Sequence, residues 1–254
     1  MCPVSLPTAP DRAPTGAGAL YPGRVTTSPA PSAPAWTVAD PAYRAAVLDL
    51  LGLLAQGELT TFARLAADAA HAPDLSGQIT LARMASGELS HLDVIEQYVV
   101  RLGGDLPTVM LSYADVLGDF EARTVPRDWW ERLIKTYVGY GLVLDLQRAV
   151  SAQLDEESKA VVDEVLADNG YADYVAGVLG PVLAAEGQLG ARLALWGRRV
   201  VGEALSLAQN ALRRHPTLVV LLTQGSGGDA EVTRVLNKLA GGHARRMGRL
   251  GLTA

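Results

Sequence analysis

The sequence predicts an all-α protein: two helical hairpins joined by a long crossover, with further helices at the C-terminal end. Three observations predict this. Ala and Leu dominate over the β-branched residues, only 6% of the chain is aromatic, and apolar residues recur at intervals of three and four through successive windows. At 254 residues and 49% hydrophobic, the chain can build a sizeable buried core. Eight of its fourteen prolines fall in residues 1–35, where backbone donors are missing and apolar surface is scarce. That stretch reads as a disordered Pro/Ala-rich arm, and residues 36–254 as the helical domain.

The first helix begins near Pro41 and repeats Leu51, Leu54, Glu58, Phe62, Leu65 and Ala69 until the His71-Ala72-Pro73-Asp74 turn. The second carries Leu81, Met84, Glu88, His91, Leu92, Ile95 and Val99 to Gly103-Gly104. Residues 105–126, with Pro107 and Pro126 near their ends, are long enough to run the length of a bundle. A third helix from about Arg127 to Ala152 places Trp130, Leu133, Tyr137, Tyr140 and Leu144 on one face. The fourth opens on Asp155-Glu156-Glu157 and continues through Val161, Val165, Asp168, Tyr171, Val175 and Val178. Pro181 and Gly187 then punctuate the chain before helices at about 189–213 and 229–248. Two hairpins with one long crossover is the topology of ferritin-like four-helix bundles.

The inward stripe of the first hairpin contains Glu58, Glu88 and His91, polar groups that are costly to bury beside Leu and Phe. Glu58 lies as far before Pro73 as Glu88 lies after it, so an antiparallel hairpin sets the two carboxylates at one height. His91 follows one turn on, on the same face. One Glu facing a Glu-x-x-His is half of a carboxylate-bridged di-iron site. The same reckoning on the second hairpin, about a turn centred near Leu154, sets Asp168 level with Tyr140 and puts Tyr171 in the slot of the second His. Asp145 is a reserve ligand, lying about 140° around the helix from Tyr140. The alternative is a buried polar network in which Glu58, Glu88, His91 and Asp168 satisfy one another through protons and water.

With these residues stand the segment from Ala191 to Leu205, containing Leu195-Trp196-Gly197-Arg198-Arg199, and the closing segment from Ala244 to Leu252. Together they resemble an actinobacterial ferritin-like family related to MiaE, the non-haem di-iron tRNA hydroxylase. The resemblance implies a ferritin-like bundle and, for members with a full ligand set, dioxygen-dependent hydroxylation at two irons. It also implies an acid at the position of Tyr140 and a His at that of Tyr171, so this chain keeps Glu58, Glu88, His91 and Asp168 as metal ligands and carries phenols at two ligand positions. The expected cofactor is one or two iron ions, or none. The expected activity is iron-dependent hydroxylation of tRNA or a small molecule; the alternative is a catalytically inactive helical protein kept for binding or assembly.

Residues 190–254 carry ten Arg or Lys against three acids, whereas the rest of the chain is acidic. If tRNA is a partner, Arg213, Arg214, Lys238, Arg245, Arg246 and Arg249 should form one positive surface; the alternative is two solvated helix faces. Arg199 and Glu203, four apart, read as a helix salt bridge. His71, His215 and His243 have no acid at ligand spacing, and Gly225-Ser-Gly-Gly lacks the Lys of a phosphate loop. No uninterrupted apolar stretch reaches the length of a membrane span. The single Cys2 and the lack of a signal-peptide pattern lead to an expected cytoplasmic location.

Overall fold

Asp40 and Pro41 start the domain. The Asp40 carboxylate accepts the backbone N–H groups of Ala42 and Tyr43, and Pro41 occupies the first helical turn, where a missing N–H costs nothing. Helix α1 (Pro41–His71) and helix α2 (Leu75–Arg101) form the first hairpin, and Asp74 caps α2 by accepting Gly77 N at 2.8 Å. A computed structural model describes residues 36–116, 118–223 and 228–254; the arm expected at 1–35 lies outside the described residues. Residues 36–254 form one compact unit.

The crossover is partly helical, with α3 (Leu106–Met110), a 3₁₀ turn at Leu111–Tyr113 and α4 (Gly118–Arg123). Helix α5 (Trp129–Val150) follows. Its cap Asp128 accepts Glu131 N at 2.9 Å, while the Glu131 carboxylate reaches back to Arg127 N at 2.9 Å, a close variant of the capping box. Then come α6 (Glu156–Val165), α7 (Tyr171–Ala185), α8 (Gly187–Arg214), α9 (Pro216–Thr223) and α10 (Asp229–Arg249). No strand occurs among the described residues, and the all-α bundle with extra C-terminal helices is the fold observed.

Three expectations need correction. The single fourth helix is two, because the chain leaves the helix after Val165 and re-enters it at Tyr171. Asp168-Asn169-Gly170 makes the break. Gly170 sits at φ +77°, a left-handed conformation that costs any side chain with a Cβ. Asp168 Oδ1 accepts Gly170 N at 2.9 Å and Asn169 Oδ1 accepts Tyr171 N at 3.0 Å, so both side chains serve the turn and the start of α7. Secondly, Pro181 lies inside α7 rather than ending it, which removes one intrahelical hydrogen bond. Thirdly, the apolar run around Leu218 forms α9, a helix absent from the sequence reading, with Pro216 in its first turn.

Among the described helices α1 alone is long and apolar enough to cross a membrane, with a mean hydropathy of 1.2 over its best window; half of that window is buried inside the bundle. Its neighbours explain the composition. α1 packs along α2 and also against α3, α5 and α9, so it is the central helix and needs apolar side chains on several faces. α5 packs most extensively against α8, with α7 and α10 also on it, while α6 lies against α2.

Candidate metal centre

Glu58 on α1 and Glu88 on α2 are 2% and 0% exposed, and both point into the bundle from the same height. One donor atom from each of Glu58, Glu88 and His91 lies within 4.8 Å of the others. The equal spacing from Pro73 therefore does what the sequence predicts for the first hairpin. His91 Nδ1 is 2.8 Å from Glu58 Oε2. Glu88 Oε1 accepts a 2.7 Å hydrogen bond from Asn169 Nδ2, and Glu88 Oε2 is buried and accepts none. Burial raises the pKa of Glu58 from its ordinary 4.5 to about 7. Burial, then a hydrogen bond shared with Glu58 and the facing negative charge of Glu58, raise that of Glu88 to about 8. Two carboxylates this close and this dry share a proton or need a cation.

The second hairpin does not complete the site as expected. Asp168 is exposed and is spent on the Gly170 turn. Its place beside Glu88 is taken by Asn169. The Tyr171 N–H fixes the Asn169 amide oxygen, which leaves the NH₂ group to face the carboxylate. Asp145 is also diverted, because Arg246 from α10 reaches it with Nη1 at 2.7 Å. Tyr171 is buried, but its hydroxyl donates to the Leu133 carbonyl at 3.4 Å and lies near Thr136 and Asp68. Asp68 is ten residues beyond Glu58 on α1, about 15 Å further along the axis. The break before α7 carries Tyr171 out of the register that an unbroken helix would give. Tyr140 does stand beside the pair: burial, then the charges of Glu88 and Glu58, push its phenol pKa upward. It makes no hydrogen bond to either carboxylate.

Other polar clusters went unseen in the sequence. Asp68, 1% exposed, is held by Arg132 at 3.1 Å and Thr136 at 3.2 Å. Lys135, likewise buried, meets Glu121 at 2.6 Å, and Arg64 meets the same carboxylate. His215 does have an acidic partner, Asp49 at 3.2 Å, and stacks on Tyr113. Glu203 pairs with Arg123 at 3.5 Å rather than with Arg199. Each pair joins residues from different elements, and one-helix spacing carries no signal for that. Asn169 had a signal: Asn-Gly is a turn dipeptide, and it argued against a continuous helix.

The family model described as the ferritin-like domain of actinomycetes matches residues 41–225, well over half of the chain. The chain belongs to that family. No curated protein matches it. The match takes in both hairpins and α8 of the ferritin-like domain and stops before α10.

Whether the site of this ferritin-like domain suits a metal can be judged from its donors. Glu58, Glu88 and His91 offer hard oxygen donors and a borderline nitrogen, a set that iron accepts. Apart from a proton shared with Glu58, the buried Glu88 Oε2 has no donor beside it, the kind of atom a cation satisfies. Three donors fit one ion. Among the described residues no further acid or imidazole joins them to hold a second.

Proposed function

We propose that the protein is an iron-binding member of its ferritin-like family, with one metal ion held by Glu58, Glu88 and His91. The observation that carries this is the pairing of two almost wholly buried carboxylates, one with an orphaned oxygen, beside a histidine on the same hairpin. When bound there, iron would supply Lewis acidity and redox chemistry with dioxygen. The chain's own residues would do the rest. His91 hydrogen-bonds Glu58 and fixes its orientation, Asn169 orients Glu88, and Tyr140 shields the pair.

The resemblance read in the sequence, to a ferritin-like family related to MiaE, extends the proposal to hydroxylation of tRNA or a small molecule in the cytoplasm. On the RNA side, Arg214, Lys238 and Arg245 are exposed, whereas Arg246 is engaged with Asp145 and Arg249 with Asp173. A second reading, a catalytically inactive bundle retained for binding or assembly, is favoured by the diversion of Asp168 and Asp145 to a turn and an arginine. Metal analysis of protein purified aerobically from iron-supplemented cells separates the two. The proposal expects roughly one iron per chain, in line with one ligand set. Less than about a tenth, with no loss of melting temperature on chelation, would leave the inactive reading. For RNA, titration of tRNA at two salt concentrations should show affinity falling with salt, and Arg214→Glu/Lys238→Glu/Arg245→Glu should weaken it. Equal weak binding by both proteins would remove RNA.

A further inference from the structure

The segment Leu195-Trp196-Gly197-Arg198-Arg199, which the metal centre leaves without a role, forms one wall of a cleft of about 340 Å³ between α8, the start of α5 and the link from α4. Arg192, Trp196 and Arg199 recur at intervals of four and three, so one stripe of α8 turns all three towards it. Val125 and Arg127 come from the link, and Arg123 from the last turn of α4. Space of this order is what a small organic ligand occupies.

The cationic groups of the cleft are only partly compensated. Arg192 is held by Asp128 at 2.7 Å and by Glu131 at 2.9 Å. Arg123 reaches Glu203 at 3.5 Å, a loose and exposed contact. Glu203 is thereby engaged across elements, and the pair with Arg199 that helical spacing predicts does not form. Arg199 and Arg127 are exposed, and neither guanidinium has a carboxylate partner among the described residues. Apolar surface stands beside them: Leu195 is 63% and Val125 66% exposed. The half-buried Trp196 is pinned between them and the core, because its Nε1–H donates to the Glu131 carbonyl at 2.9 Å. We propose that this cleft binds a phosphate monoester carried on a flat, apolar ring, with Arg127 and Arg199 taking the phosphate and Leu195, Val125 and Trp196 taking the ring.

The class of ligand follows from the walls. A guanidinium presents paired N–H donors that match the oxygens of a phosphate. A monoester, with close to two negative charges at pH 7, occupies both free guanidiniums, whereas the single charge of a carboxylate occupies one. Inorganic phosphate would leave Leu195 and Val125 in water, and a ring covers them. The three carboxylates around the cleft, Asp128, Glu131 and Glu203, already engage Arg192, Arg123 and the Arg127 backbone N–H. They leave two guanidiniums for the ligand and repel the flanking phosphates of a polymer such as RNA. The site needs neither the metal nor Glu58 and Glu88.

Calorimetric titration of the full chain in low salt, with 1-naphthyl phosphate as probe, tests this. Saturable binding of about one molecule per chain is expected, with inorganic phosphate and 1-naphthol each at least about tenfold weaker, and affinity falling as salt is raised. Arg127→Gln/Arg199→Gln should weaken binding about tenfold or more. Arg198→Gln should leave it unchanged, because Arg198 turns instead to the carbonyl groups of Thr253 and Ala254. Glu203→Gln releases Arg123 and should tighten binding severalfold, a gain that partial unfolding cannot mimic. No saturable binding, equal affinity for inorganic phosphate, or unchanged affinity in the double variant overturns the proposal. So does a chain that binds tRNA through Arg127 and Arg199 but not 1-naphthyl phosphate, which would make the cleft part of an RNA surface.

Discussion

The two hairpins use acidic residues in opposite ways. On α1 and α2, Glu58 and Glu88 face each other with little else to neutralise them; on the second hairpin, Asp145 and Asp168 are consumed by Arg246 and by the Gly170 turn. A carboxylate with a fixed cation or a backbone N–H partner is stable as it stands. A pair facing each other without one is stable only with a proton or a metal between them. The first hairpin therefore keeps a reason to bind an ion, and the second has lost it.

The largest effect should come from exchanging the two kinds of acid. Glu88→Gln should lower bound metal by at least about tenfold in metal analysis, whereas Asp168→Asn should leave it unchanged. Equal loss in both would return Asp168 to the ligand set and break the contrast.

Next is pH. In metal-free protein the folded carboxyls titrate at about 7 and about 8 against an ordinary 4.5, so between these values the folded chain binds more protons than the unfolded one. Stability is then fully present below 4.5 and is lost as pH rises towards 8, at about 1.4 kcal/mol per pH unit for each proton retained. Urea melts from pH 5 to 8 should show this decline, and Glu58→Gln/Glu88→Gln should flatten it. A flat wild-type profile would mean that the pair is neutralised by something else.

Smaller effects belong to the second hairpin. Asp145→Ala leaves the partly buried Arg246 without its carboxylate and should cost roughly 1–2 kcal/mol in denaturant melts, with metal content unaffected. Gly170→Ala forces a Cβ into the left-handed region and should cost about 1 kcal/mol. If Gly170→Ala also weakened metal binding, the Asn169 contact to Glu88 would be steering the ligand as well as holding the turn.

How much of this was legible in the sequence divides along the same line. The first hairpin could be read because its helices are unbroken, so counting residues from Pro73 is equivalent to measuring height, and Glu58, Glu88 and His91 fell together. The second could not be read in that way. Five non-helical residues before Tyr171 destroy the equivalence, and helical periodicity in Val165, Asp168 and Tyr171 outweighed the Asn-Gly turn signal that contradicted it. Tyr140 lies on the unbroken α5 and stands beside the carboxylates without hydrogen-bonding either. Asp145 fell on a usable face, but its fate was set by Arg246, more than a hundred residues away, and spacing does not report such a partner.

The closing helix has an attachment of its own. α10 starts at Gly228 with no side-chain cap and lies across α5 so closely that a Cβ on Gly242 would collide with the Asp145 carboxylate. Beside that crossing His243 is buried with neither ring nitrogen bonded. Such a helix is held by two ion pairs near its end, Arg246 to Asp145 and Arg249 to Asp173, by the Tyr137 hydroxyl donating to the Arg246 carbonyl at 3.1 Å, and by an apolar stripe of Val235, Leu239 and Met247, over a polar group that gains nothing from burial. Its amides should therefore exchange with deuterium as one cooperative unit and well before those of α1 and α2, and faster still in high salt. The chain would then have a peelable end, whose release uncovers Asp145 and leaves the first hairpin intact.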